Sequence, residues 1–253
     1  MLYYVCDKTF EGLMTCVFDS FSRKEIPSAI VGKEEEIPLF TDVYESITDP
    51  IRADRVVDGL RAIISESALA MLFVCFFSDR RDSATRIFNY IRKTFEAGKS
   101  IETNFADDDV LELSKTYRKV QREAERVRQF VRFQKTADGI FFAAFEPAHD
   151  VLPLVVPFFE DRFADQPWII YDMKRKYGFY YDLKRTEEIS IDNLNIDLNT
   201  GKLPREIKSD DETEFNELWK QYLKSITIAE RKNLKLQRQH MPERFWKYLT
   251  EKN

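Results

Sequence analysis

The chain has 253 residues, 43% of them hydrophobic and 33% charged, and a formal net charge of −5. That length and balance describe a soluble globular chain able to bury a core. Only seven glycines argue against a loop-rich β-sandwich or a glycine-built phosphate loop, and no run reaches the ~20 uncharged apolar residues of a membrane span.

In chain order, "MLYYVCD" predicts a strand, and its lack of a basic region followed by an apolar core predicts no secretion signal. Thr9 is placed to cap a helix whose apolar positions Phe10, Leu13, Val17, Phe18 and Phe21 keep helical spacing. Residues 25–46 predict a β/loop connection with a short strand at "FTDVYES". Asp49–Pro50 then opens a helical region: "IRADRVVDGLRAII", the nearly all-apolar "SESALAMLFVCFFS", and "RRDSATRIFNYIRKTFEAG" capped by Ser78 or Asp79 and ended by Gly98. After the acidic Asp107–Asp109, the residues Val110, Leu113, Tyr117, Val120, Ala124, Val127 and Val131 alternate steps of three and four. They form one apolar stripe along a long helix.

Two hairpins are predicted next. "QFVRFQ" and "IFFAAFEP" flank an Asp138–Gly139 turn, and "PWIIYDMK" and "FYYDLK" flank "RKYG". Phe141, Phe142 and Phe145 fall on both faces of their strand, which predicts a sheet covered on both sides. Residues 185–217 are acidic and polar, a surface excursion with a short strand pair at "IDLNTGKLP". A helix pair, "EFNELWKQYLKSI" and "AERKNLKLQRQH", leads to the closing "MPERFWKYL". The expectation is one α+β domain over 1–253: a strand-helix part (1–48), a helical middle (49–128), a ββ-helix-ββ antiparallel block (129–184), the excursion, and C-terminal helices (218–253).

Charge is sorted along the chain. Lys115–Lys135 holds eight Lys/Arg against Glu123 and Glu125, and Trp219–Lys247 holds eight against Glu230 and Glu243, so the remainder is strongly acidic. Sorting of this kind suits a protein with one surface toward a polyanion. Arg118, Arg122, Arg126, Arg128 and Arg132, with Lys235 and Arg238, are the candidate phosphate contacts, since guanidinium forks match phosphate oxygens. A solvated basic face is the plain alternative. Arg162 and Trp168 in "DRFADQPWIIYD" are candidates for a phosphate and an unpaired base, with a core tryptophan as the alternative.

The stretch "FEPAHDVLPLVVPFFEDRF" poses the question of chemistry. Glu146, His149 and Asp150 bring carboxylates beside an imidazole, a set able to move a proton or hold a metal. The structural reading is a strand-to-helix junction in which Pro147 ends the strand, Asp150 caps the helix and Pro153 lies in its first turn. No metal site is assigned. Scattered Cys6, Cys16 and Cys75 point to reduced thiols in a cytoplasm, not a disulfide framework or zinc site, and three cannot hold an iron–sulfur cluster unaided. No P-loop, G-x-G-x-x-G, H-E-x-x-H or paired C-x-x-C occurs, so no cofactor is expected.

Three stretches carry a resemblance: "FEGLMTCVFDSF", "FVRFQKTADGIFFAAFEPAHDVLPLVVPFFEDRFADQPWIIYD" and "LWKQYLKSITIAERKNLKLQRQHMPERFWKYL". In order, over nearly the whole chain, they resemble a bacterial family of DNA metabolism or DNA repair proteins. That domain of unknown function also occurs fused to uracil-DNA glycosylase, and its stand-alone form is encoded beside a radical-SAM protein assigned to DNA modification or repair. Thr9, Phe10, Glu11 and Gly12 match the family's opening, Phe145, Glu146, Pro147 and His149 its central motif, and Met241, Pro242 and Trp246 its closing one. Asp150 stands where other members tend to have a second histidine, and the glycosylase portion is absent. The resemblance implies a cytoplasmic DNA-binding accessory protein with a radical-SAM partner. The alternatives are an enzyme on DNA or nucleotides using Glu146, His149 and Asp150, and a protein adaptor without nucleic-acid contact.

Overall fold

The computed structural model describes residues 1–191, 203–204, 207–209, 211–227 and 233–252. They fall into two compact units, Met1–Gln121 and Arg122–Asn253, where a single domain is expected from sequence. Helices and open sheets mix along the chain, which gives the α+β class.

In the first unit, "LYYVC" forms β1 (Leu2–Cys6), α1 spans Phe10–Arg23, and β2 (Ala29–Gly32) and β3 (Asp42–Glu45) flank β1 in the order β2-β1-β3. Both pairings are parallel, with Tyr3 opposite Ala29 and Leu2 opposite Asp42. Parallel neighbours require a crossover, which α1 supplies between β1 and β2. Thr9 caps α1 as expected, its hydroxyl accepting the Gly12 N–H at 2.9 Å.

The helical middle follows as α2 (Pro50–Arg61), α3 (Glu66–Phe76), α4 (Ser83–Ala97) and α5 (Asp108–Phe130). Asp49 and Ser65 accept N–H groups from the first turns of α2 and α3. The cap of α4 is Asp82, not Ser78 or Asp79, because Arg80 and Arg86 clamp the Asp82 carboxylate and the helix starts only after that clamp. Gly98 ends α4 at φ 60°, a conformation that costs a glycine little. The apolar stripe of α5 is buried at Val110, Leu113, Val120, Ala124 and Val127, whereas Val131 lies past the helix end. Cys6, Cys16 and Cys75 are free and buried.

The second unit holds β4 (Gln134–Lys135), β5 (Phe141–Phe145), α6 (Leu152–Arg162), β6 (Trp168–Asp172), β7 (Tyr177–Tyr181) and β8 (Thr186–Ile189), a five-stranded sheet ordered β4-β5-β6-β7-β8. The second expected hairpin forms. The first shrinks to Gln134–Lys135 against Phe141–Phe142, with Gly139 at φ 86° in its turn, because α5 runs on to Phe130 and takes the start of "QFVRFQ" into the helix. The block is nevertheless mixed, not wholly antiparallel. β5 and β6 run parallel from Phe141 opposite Trp168 to Phe145 opposite Asp172, because α6 returns the chain to the edge from which β5 started. Both faces of β5 are buried, with Phe142 and Ala144 on one and Ala143 and Phe145 on the other.

A second correction concerns the acidic excursion. Its opening residues, Thr186–Ile189, pair antiparallel with β7 as an edge strand whose Glu187 and Glu188 are exposed. Charge on an edge strand resists pairing with another chain. The strand pair expected at "IDLNTGKLP" lies outside the described residues, apart from Leu203 and Pro204. Among the described residues, the chain closes with three α-helices, α7 (Asp211–Ile226), α8 (Leu234–His240) and α9 (Glu243–Trp246), and a short 3-10 turn at Thr250–Lys252. The start of the second expected C-terminal helix, residues 229–232, also lies outside the described residues.

Among the described residues no helix is long and apolar enough to cross a membrane.

Candidate functional site

The carboxyl ends of β5 and β6 lie side by side, since Phe145 and Asp172 are register partners. Each strand hands over there to polar residues. After β5 come Glu146, Pro147, Ala148, His149 and Asp150. At the end of β6, the fully buried Asp172 accepts the backbone N–H groups of Lys174 (2.8 Å) and Arg175 (3.1 Å) and the Arg175 guanidinium (2.6 Å). Arg175 also reaches the Pro147 carbonyl at 3.4 Å. Burial raises the Asp172 carboxyl above its ordinary value despite the opposing pull of Arg175.

The C-terminal segment closes over this edge. Lys247 Nζ lies 2.8 Å from Glu146 Oε1. Burial, and then the Glu146 charge, push the Tyr248 phenol well above its usual value. Arg244 donates to Glu123, a carboxylate on α5 that is 2% exposed and also accepts the Ala148 N–H at 2.8 Å. Arg126 Nη1 stands 3.5 Å from the same carboxylate. Glu123 therefore gathers α5, the "FEPAHD" junction and the C-terminal segment.

The junction is not the helix cap that sequence suggests. Val151, without a side-chain hydrogen bond, is the N-cap of α6. Asp150 instead accepts the Tyr177 hydroxyl from the first residue of β7. Burial and the Asp150 charge hold Tyr177 strongly protonated. Pro153 does lie in the first turn of α6, where a missing N–H costs little. His149 is half-buried and its carbonyl accepts the Val151 N–H at 2.9 Å. Glu146, His149 and Asp150 thus follow one strand end, but the two carboxylates take different partners: Glu146 forms a part-exposed ion pair with Lys247, and Asp150 accepts the Tyr177 hydroxyl. Sequence inspection missed Glu123, Asp172, Arg175, Tyr177, Arg244, Lys247 and Tyr248. Glu123 carries a usable signal, because Thr116, Val120, Glu123 and Val127 step by four, three and four along a buried flank of α5.

The candidate phosphate contacts divide into two groups. Arg126 is drawn to Glu123; Arg128 binds Glu125 at 2.7 Å and the Leu154 carbonyl at 3.1 Å; Arg132 donates to the carbonyls of Gln129 and Val131; and Arg238 pairs with Glu243 at 2.9 Å. Arg118, Arg122, Arg162 and Lys235 are exposed and form no ion pair among the described residues. Lys119, on the same helix as Arg118 and Arg122, shares that state. Trp168 is fully buried and packs on Tyr181, with ring centroids 5.3 Å apart and planes at 25°. That ring face is already covered. Among the described residues no three His, Cys, Asp or Glu side chains are grouped to hold a metal ion.

A family model described as a domain of unknown function, DUF4130, matches residues 81–251, a stretch that contains every residue of this strand-edge network. No curated protein matches the chain. Among solved structures, one named "pGpG-specific phosphodiesterase - PggH from Vibrio cholrae" is similar at a TM-score of 0.29 and 11% identity, over 71% of this chain and 81% of that one. A likeness that loose bears on neither fold nor chemistry.

Proposed function

We propose that this chain, which belongs to the DUF4130 family of domains of unknown function, is a DNA-binding accessory protein of repair or modification that acts beside a radical-SAM partner. The observation that carries the DNA reading is the exposed face of α5 bearing Arg118, Lys119 and Arg122. Helix faces in water ordinarily balance such bases with acids three or four residues away. Here the nearby acids are engaged elsewhere, Glu123 buried under Arg244 and Glu125 paired with Arg128. Arginine and lysine left without partners, in a chain of net charge −5, suit contact with a phosphate backbone. The DNA context and the partner rest on the sequence resemblance. Anisotropy titration of labelled single- and double-stranded DNA at low and moderate salt tests the reading. Salt-sensitive binding supports it, and no binding at low salt contradicts it.

A second reading, an enzyme acting on DNA or nucleotides, is favoured by the position of Glu146, His149 and Asp150. They follow β5 where it runs parallel to β6, at the strand end where open α/β sheets take ligands. On that reading Glu146, paired with Lys247, and His149 perform acid/base work. His149→Ala then removes activity while leaving fold and DNA affinity unchanged.

A further inference from the structure

At the opposite end of β5 and β6, around their first residues, Phe133, Phe141, Phe163, Gln166 and Trp168 line a cavity of about 170 Å³. Drug-sized ligands occupy pockets of about 300–1,000 Å³, so this one fits a single small ring system. Its walls are aromatic, and every lining residue but Trp168 is half-buried, so the lining reaches the surface. Gln166 brings to this lining an amide able to donate and to accept. Trp168, also a lining residue, carries a buried Nε1–H that has no acceptor among the described residues. Buried donors are nearly always paired, and a hydrocarbon guest would leave this one unmet.

Arg162 adds charge beside the cavity. It is exposed, and its guanidinium carbon lies 5.6 Å from the ring centroid of Phe163, a lining residue. Aromatic walls, a lone donor, a two-way amide and an adjacent cation suit a flat heterocycle carrying a carbonyl or ring nitrogen, with an anion attached. A nucleobase with its phosphate has that chemistry.

We infer that this cavity is a subsite for one unpaired nucleobase. Trp168 Nε1–H donates to an acceptor on the base edge, Gln166 reads a neighbouring edge atom, and Arg162 meets the attached phosphate. Trp168 then acts through its N–H, not as a stacking platform, since Tyr181 covers one of its faces. The inference rests on the DNA reading only for the source of the base; a free nucleotide offers the same groups.

Anisotropy titration compares a labelled single-stranded oligothymidylate with an abasic oligomer of equal length. The base-bearing strand is expected to bind about tenfold more tightly, within the usual range for seating one base among aromatic rings. Trp168→Phe and the milder Gln166→Leu each bring it toward the abasic affinity and leave the abasic affinity unchanged. Equal wild-type affinities, or a base preference that survives both substitutions, overturn the subsite while leaving DNA binding intact. If neither oligomer binds, the DNA reading fails, and ligand-detected NMR with thymidine monophosphate decides the subsite separately. Saturation transfer lost in Gln166→Leu supports it, and none to the wild type overturns it.

Discussion

Lys247 Nζ lies 2.8 Å from Glu146 Oε1, so a residue near the C-terminus meets the first residue after β5 across 101 positions of sequence. Their side chains remain 30% and 36% exposed. Solvent screening limits such pairs to about 0.2–1 kcal/mol. A double-mutant cycle of Glu146→Gln and Lys247→Met, followed by urea unfolding, is expected to give a coupling below about 1 kcal/mol. A coupling several times larger would show a desolvated, structural pair. A weak coupling leaves the pair free for a chemical role.

Glu123 behaves differently. Its carboxylate is 2% exposed and holds Arg244 and the Ala148 N–H. Removing one partner of a buried pair costs about 3–5 kcal/mol. Arg244 is a third exposed and regains water, so Glu123→Ala is expected to cost about 2–3 kcal/mol, below that range. Glu123→Gln keeps an acceptor for Ala148 and costs less. Urea midpoints that rank the alanine variant no worse than the glutamine variant would remove Glu123 from its central place.

Gly178 on β7 sits opposite Tyr171, and a Cβ there would lie 2.5 Å from the Ile170 carbonyl oxygen and 2.8 Å from Tyr171 Cδ2. The first obstacle is backbone and cannot rotate away. Gly178→Ala is expected to destabilise by about 1–3 kcal/mol, as overpacking does. An unchanged thermal midpoint would mean that β6 and β7 are spaced more widely than described.

Acid pH separates two carboxylates with opposite slopes. Arg80, with Arg86, holds Asp82 far below the ordinary range, so its stabilisation is present above the unfolded pKa of about 3.9 and is lost as pH falls below it. Glu112 behaves likewise, lowered to about 2 by Lys115 and Arg80. Burial raises Asp172, so its ionisation costs stability as pH climbs from the unfolded pKa through the folded one. Urea unfolding between about pH 7 and about pH 3 should show the wild-type advantage over Asp82→Asn shrinking on acidification. The wild type should gain relative to Asp172→Asn over the same range. Parallel curves for the two variants would contradict both assignments.

What was legible in the sequence follows from range. Thr9, Asp49 and Ser65 cap helices, Gly98 ends one and Gly139 turns a hairpin, and each effect acts within a few residues. The parallel pairing of β5 with β6, and of β1 with both its neighbours, joins residues separated by a crossover, and hydrophobic spacing carries no sign of strand direction. β8 escaped because "TEEI" is acidic, the composition of a surface loop as much as of a protected edge. At the site, "FEPAHD" stood out by composition, but its partners Lys247, Tyr177 and Glu123 are brought to it by tertiary packing alone. Arg128 looked as available as Arg122 until its bonds to Glu125 and Leu154 were visible.

The measurement that tests the account most directly is the salt dependence of DNA affinity for wild type, Arg118→Ala/Arg122→Ala and Arg128→Ala. Each phosphate contact contributes about 0.9 to the log–log slope on duplex DNA and about 0.7 on single strands. The account predicts salt-sensitive binding by the wild type. It predicts a slope shallower by about 1.8 on duplex, or about 1.4 on single strands, in the double variant, with little change in Arg128→Ala. Absence of binding at low salt, or a slope indifferent to Arg118 and Arg122, would contradict it.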